Sequence, residues 1–149
     1  MTDLDASRRI LTDYKRVAIV GLSTDPSRPS NHVARYLLEK GFEVTPVNPK
    51  YDEILGHRCY PDLSAIPTPV DIVNLFQRSE RVPPFVDAAI DIGAKVIWMQ
   101  LDIAHEEAAE KARAAGLEVV MNRCIKIDYA RLLDDLDLPA QSGPVVKLV

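Results

Sequence analysis

Val17-Ala18-Ile19-Val20-Gly21-Leu22-Ser23-Thr24-Asp25-Pro26-Ser27-Arg28-Pro29-Ser30 is an apolar run that breaks at Gly21 into a polar loop and gives way near Ser30 to helical spacing, with Val33, Tyr36 and Leu37 on one face. Four consecutive apolar residues without alternation fit a strand covered on both faces. Ser30 is a good N-cap type, and the helix it would open ends at Gly41. Strand, glycine turn and helix in this order predict a phosphate-cradling loop, because the free amide groups and positive dipole end of the helix face whatever the turn holds.

Working outward, the same alternation of periods continues. Leu4 to Tyr14 reads as a leading helix, and Phe42 to Val47 as a second strand, where Pro46 implies an edge, a bulge or an end of pairing. The stretch from Asn48 to Pro69 carries four prolines and Gly56, with Ile54 to Tyr60 as a short edge strand. Asp71 to Phe76 is the next strand, followed by a helix capped by Ser79, with Val82, Phe85, Ala89 and Ile90 inward and Pro83 and Pro84 in its first turn. Lys95 to Met99, a helix over Ala104 to Ala115, Leu117 to Met121 and a final amphipathic helix marked by Ile125, Tyr129, Leu132, Leu133 and Leu136 complete the series. Regular strand–helix alternation predicts an α/β class: a Rossmann-like, doubly wound, mostly parallel sheet with helices on both faces and strand order 3-2-1-4-5-6. The switch point then lies between the strand ending at Val20 and the strand ending at Phe76. The expected organisation is one domain over residues 1–149, with a core over 10–137, an N-terminal helix over 4–14 and a loose tail over 139–149.

Composition limits the function classes. The 149 residues are 47% hydrophobic and 27% charged with a net charge of −4, which argues against a broad nucleic-acid or anionic-membrane surface while leaving room for a local anion site. No apolar stretch approaches the roughly 20 residues of a membrane helix, and the N-terminus lacks the apolar core of a signal peptide, so a cytoplasmic location is expected. Cys59 and Cys124 give no disulfide framework and are read as reduced thiols.

Ligands of doubly wound folds bind beyond the carboxyl ends of the strands. There the sequence places Gly21, Ser23, Thr24, Arg28 and Ser30 after the first strand, Asn48, Pro49 and Lys50 after the second, and Gln77 and Arg78 after Phe76. The later strands add Gln100, then Asn122, Arg123 and Cys124. Arg28, Lys50, Arg78 and Arg123 thus follow four different strand ends of an acidic chain, a set suited to a multiply phosphorylated small ligand, although Asp25 and Asp102 at the same edge dilute it. The turn reads Gly21-Leu22-Ser23 and not Gly-x-Gly-x-x-Gly, and the end of the second strand carries Val47-Asn48-Pro49-Lys50 in place of an acid for a ribose diol. On the residues alone, NADP and coenzyme A both remain open.

Taken together, Val17 to Ser23 with Pro26-Ser27-Arg28-Pro29-Ser30, Val47-Asn48-Pro49-Lys50, Glu53 to Gly56, Tyr60-Pro61, Val73 to Phe76, Gly93-Ala94-Lys95 with Trp98-Met99-Gln100, and Asn122 to Lys126 closely resemble the stand-alone CoA-binding-domain proteins. These are similar to the N-terminal CoA-binding domain of the succinyl-CoA synthetase alpha subunit and of ADP-forming acyl-CoA synthetases. The resemblance spans about residues 10 to 135. It implies a Rossmann-like fold that binds CoA or acyl-CoA, with Gly21, Ser23, Arg28, Pro29 and Ser30 as the pyrophosphate loop. It also implies Val47, Asn48, Pro49 and Lys50 around the adenosine and its phosphate, Phe76 and Arg78 over the nucleotide, and Gln100 near the pantetheine arm.

The resemblance supplies no chemistry, since the synthetases pass a phosphoryl group through a histidine of a separate domain. His32, His57 and His105 assemble with no nucleophile, acid pair or metal set in the sequence, and no catalytic or metal-binding residue is assigned. Cys124 precedes a helix at the end of the last strand, where a thiol can be activated for mixed-disulfide formation with CoA, against the ordinary reading of free cysteine as a small hydrophobe. The expected role is a CoA-binding carrier, sensor or regulatory subunit, monomeric or weakly dimeric. The alternatives are a CoA-presenting subunit working with a separate ATP-grasp partner and, less favoured, an NAD(P)-linked redox domain.

Overall fold

A computed structural model describes the backbone of residues 3–142 and the side chains of residues 4–136. Helix α1 spans Asp3–Asp13, strand β1 Arg16–Val20, helix α2 Pro29–Glu39 and strand β2 Glu43–Val47. Strands β3 (Glu53–Ile54) and β4 (His57–Arg58) follow, then β5 (Ile72–Leu75), α3 (Val82–Asp91), β6 (Val96–Met99), α4 (Glu106–Ala114), β7 (Glu118–Val120) and α5 (Ile125–Ser142). Helix α5 therefore runs four residues into the stretch read as a tail, and residues 143–149 lie outside the described part.

Five strands form one parallel sheet in the order β2-β1-β5-β6-β7. Side chains alternate across it. Val17, Ile19, Ile72, Val96, Trp98 and Val120 join α1, α2 and α5 in one layer, whereas Ala18, Val20, Val73, Leu75, Ile97 and Met99 join α3 and α4 in the other. The first crossover packs on one face and the next on the opposite face, so the switch point lies between β1 and β5, as the sequence predicts.

The expected strand order is corrected at the sheet edge. Residues 53–58 pair with themselves as a two-stranded antiparallel hairpin instead of extending the sheet beyond β2. Leu55 and Gly56 both take positive φ, 54° and 77°, the backbone that closes a tight hairpin turn. Pro46 contributes no N–H to the outer edge of β2, and the chain meets that edge only at Tyr60. The Tyr60 N–H donates to the Pro46 carbonyl at 3.0 Å, and the Asn48 N–H to the Tyr60 carbonyl at 2.9 Å.

Three local expectations also change. Helix α2 starts at Pro29, with Arg28 as its N-cap and no side-chain capping bond, so Ser30 lies inside the first turn. Ser79 opens a short 3-10 turn, and its hydroxyl accepts from the Ala104 N–H at 3.1 Å. On α3 the buried positions are Val82, Val86 and Ala89, with Phe85 and Ile90 half-buried. Among the described residues, no helix is long and apolar enough to cross a membrane.

The last helix is docked by a buried polar pair. Gln100 is 4% exposed, and its Oε1 accepts from Asn74 Nδ2 at 3.0 Å and from the Ile125 N–H, the first of α5, at 3.0 Å. A Gln100→Leu substitution leaves two buried donors without an acceptor, so unfolding in urea should lose roughly 2–4 kcal/mol of stability. A loss no larger than an ordinary surface substitution would mean that the pair is not what anchors α5.

Candidate functional site

Three strand ends are stitched together at the switch point. The Gly21 N–H donates to the Val47 carbonyl at 2.9 Å, and the Phe76 N–H donates to the Val20 carbonyl at 2.9 Å. Gly21 has φ of +87°, and a Cβ there would stand 2.4 Å from the Phe76 carbonyl oxygen and 2.8 Å from Gln77 Nε2. Only glycine fits both the backbone and the space. Asn48 adds a second stitch: its Nδ2 donates to the Leu22 carbonyl at 3.0 Å and its Oδ1 accepts from the Lys50 N–H at 3.0 Å. Beneath it, the buried Cys59 thiol donates to the Asn48 carbonyl at 3.4 Å, and burial raises its pKa, keeping it in the unreactive thiol form.

Above these stitches lies a cleft of about 530 Å³ lined by Gly21, Ser23, Arg28, Pro29, Ser30 and Asn48, with Lys50, Tyr51, Phe76 and Arg78 completing its wall. A second lobe of about 360 Å³ shares Gly21, Asn48, Lys50 and Phe76 with it and is bounded also by Val47, Pro49, Pro61, Gln77, Arg81 and Phe85. The first lobe is cationic and polar. The second is flanked by two phenylalanines, two prolines and two valines, Val20 and Val47, with Asn48, Lys50, Gln77 and Arg81 as its polar groups.

Cationic side chains gather at this cleft. Arg28, Lys50 and Arg78 are exposed, and none forms an ion pair among the described residues. Some cations elsewhere are matched: Arg16 with Asp71 at 3.0 Å, Lys111 with Asp87 at 2.6 Å, and Arg8 with Asp135. The first turn of α2 brings the positive end of the helix dipole to the cleft, although Pro29 carries no N–H and the Asn31 N–H donates to the Arg28 carbonyl at 3.1 Å. The one acid of this loop, Asp25, accepts from the Ser27 N–H at 2.9 Å and the Ser27 hydroxyl at 2.8 Å, and these bonds lower its pKa below the usual carboxylate range. It remains charged at neutral pH and offsets part of the field of Arg28.

The sequence-derived set divides in two. Gly21, Ser23, Arg28, Pro29, Ser30, Val47, Asn48, Pro49, Lys50, Phe76 and Arg78 line the two lobes. Ser30 is 5% exposed and its hydroxyl accepts from the Ser23 N–H at 3.0 Å, so it shapes the loop. Thr24 is exposed and lines neither lobe.

Gln100, Asn122, Arg123 and Cys124 also lie outside both lobes and work within the fold. Asn122 Oδ1 accepts from the Asp102 N–H at 2.6 Å, joining the loops after β6 and β7. The Arg123 guanidinium makes two bonds to the Asp128 carboxylate, at 2.7 and 2.9 Å, and its carbonyl accepts from Trp98 Nε1 at 2.8 Å. Its charge is therefore not part of the cationic cluster. Cys124 is half-buried against the α1–α2–α5 layer. His105 is the half-buried N-cap of α4, its Nδ1 accepting from the Ala108 N–H at 3.1 Å.

Tyr51, Pro61, Arg81 and Phe85 enter the site without having been singled out as site residues, and Gln77, which the sequence placed at this edge, lines the second lobe. Arg81 and Phe85 are four residues apart, and the 3-10 turn running into α3 puts both on the side of the second lobe. Their i, i+4 spacing was visible in the sequence, but the turn that aims them was not.

A family model described as a CoA binding domain matches residues 15–130. The protein YneT of Bacillus subtilis (strain 168) is 40% identical over 123 residues, covering 83% of this chain and 91% of that protein. A solved protein of Pyrococcus horikoshii OT3 superposes with a TM-score of 0.85 at 47% identity, covering 89% of this chain and 93% of that one. Acetate–CoA ligase [ADP-forming] I of Archaeoglobus fulgidus is 30% identical over 121 residues; the match takes in 74% of this chain but only 18% of the ligase.

The crossing at Gly21 makes a direct prediction. A Gly21→Ala variant must adopt positive φ and push a strand end aside, and it should lose about 2–4 kcal/mol in chemical denaturation. Stability equal to the parent would show that the ends of β1 and β5 are free to separate.

Proposed function

The chain belongs to the CoA-binding-domain family, and on that premise we propose that it binds coenzyme A or an acyl-CoA in the two-lobed cleft, as a stand-alone carrier, sensor or regulatory module without catalytic machinery of its own. The observation that carries this reading is the convergence of Arg28, Lys50 and Arg78, all without carboxylate partners, on the first turn of α2. A ligand with a pyrophosphate and a further ribose phosphate supplies the missing counter-charges, and guanidinium groups can grip phosphate oxygens in pairs. The apolar second lobe between Phe76 and Phe85 accepts a flat base, with Gln77 and Arg81 within the same lining. Val47-Asn48-Pro49-Lys50 offers no acid to a free ribose diol, which disfavours NAD.

A second reading has its own support. The match to an 18% segment of an ADP-forming acetate–CoA ligase fits a CoA-presenting subunit that completes a ligase with a separate ATP-grasp chain. In either role the protein acts in the cytoplasm as a monomer or weak homodimer.

Calorimetric titration tests the ligand. CoA should bind, and both removal of its 3′-phosphate and the Lys50→Ala substitution should weaken binding by roughly 10- to 100-fold, the usual worth of a bond to a charged group. NADPH should give no comparable heat. No heat with CoA on ligand-free protein would refute the reading, and equal affinity for CoA and dephospho-CoA would remove the assignment of the ribose phosphate.

A further inference from the structure

Against the loop 23–28 lies a small network made by two side chains of α2, Asn31 and Arg35, neither of which lines a lobe. Asn31, in the first turn of α2, is 2% exposed and commits both ends of its amide: Nδ2 donates to the Ser23 carbonyl at 2.9 Å, and Oδ1 accepts from Arg35 Nε at 2.8 Å. The partners fix the amide orientation, since a carbonyl only accepts and a guanidinium only donates. One turn further along α2, Arg35 extends Nη2 to the Pro26 carbonyl at 3.0 Å. Arg35 is exposed and forms no ion pair among the described residues.

These bonds sort the dipoles of the loop. The carbonyls of Ser23 and Pro26 both accept from side chains of α2, so these oxygens are already engaged within the fold. The Ser23 N–H is held by Ser30 Oγ at 3.0 Å, which fixes the same residue from its other side. A loop released from this network could turn carbonyl oxygens toward the ligand, and would have to be ordered when the ligand binds.

We propose that Asn31 and Arg35 act as one positioning unit, which sets the anion affinity of the cleft by holding the loop 23–28 without touching the ligand. The proposal rests on the reading of the cleft as the CoA site. It depends on the geometry of the guanidinium as well as its charge, because one planar group spans Asn31 Oδ1 and the Pro26 carbonyl together.

The test measures CoA affinity and melting temperature for the parent protein and for Arg35→Ala, Arg35→Lys, Asn31→Ala and the Asn31→Ala/Arg35→Ala double variant. Arg35→Ala and Arg35→Lys should each weaken CoA by about tenfold, the scale of an unpaid loop-ordering cost, with melting temperatures within about 4 °C of the parent. The double variant should bind no worse than Asn31→Ala alone, because the two residues form one unit. Parent-like affinity in Arg35→Lys, with weakening only in Arg35→Ala, would overturn the proposal in favour of simple charge. Additive losses would overturn it as well. Should Asn31→Ala not fold, the Arg35 pair decides alone. A parent protein that fails to bind CoA refutes the cleft assignment, whereas parent binding unchanged in both Arg35 variants refutes only the positioning unit.

Discussion

The contact on which the site depends is the crossing of Gly21 over the Phe76 carbonyl. Neighbouring parallel strands are separated by their hydrogen bonds, and their ends diverge where the following helices leave to opposite faces. Here the ends are held close by the Phe76 N–H on the Val20 carbonyl and the Gly21 N–H on the Val47 carbonyl. The absence of a side chain at residue 21 allows this, since even a methyl group would lie 2.4 Å from a main-chain oxygen. The loop carrying Ser23 and Arg28, the loop carrying Asn48 and Lys50, and the segment carrying Phe76 and Arg78 are thereby brought to one cleft.

Much of this frame was legible in the sequence, for a local reason. Val17 to Val20 and Val96 to Met99 are continuous apolar runs, and Ile72 to Leu75 is one interrupted by Asn74, because their strands are covered on both faces, and the helices between them announce themselves by period. The position of the switch point follows from that alternation together with crossover handedness. The edge did not follow. The choice between a sixth sheet strand and a separate hairpin turns on Leu55 adopting positive φ beside Gly56, a conformation that leucine's type does not advertise. Arg28 as helix N-cap is similar: the residue type favours Ser30, but Pro29 needs no N–H donor and starts the helix two residues earlier than a Ser30 cap would.

For the site, loops immediately following β1, β2 and β5 could be read because each functional side chain sits within a few residues of its strand end. Arg123 was read by the same rule and is placed differently, because Asp128, in the first turn of α5, takes its charge. Gln100 likewise turns inward to Asn74 and Ile125, partners 26 and 25 residues away in sequence. A residue's position at a strand end is visible in the sequence; whether its hydrogen-bonding capacity is already spent inside the fold depends on contacts made only once the fold exists. Arg81 and Phe85 illustrate the converse, entering the second lobe from a 3-10 turn and helix whose direction is set by packing on the sheet.

The pattern of spent and unspent charge also bears on stability. In this acidic chain Arg8, Arg9, Arg16, Lys40, Lys111 and Arg123 are paired with carboxylates, whereas Arg28, Lys50 and Arg78, which line one cleft, are not. Gathering like charges beside a helix N-terminus raises the energy of the ligand-free fold, and solvent screening limits that cost because all three side chains reach water. An anion that binds only the folded cleft removes the repulsion and adds its own contacts, so its affinity and the stability of the folded state rise together. Pairing these cations internally, as Asp128 does for Arg123, would favour the empty fold at the expense of the bound one. Like charges gathered in this way are stabilised least when no anion lies among them.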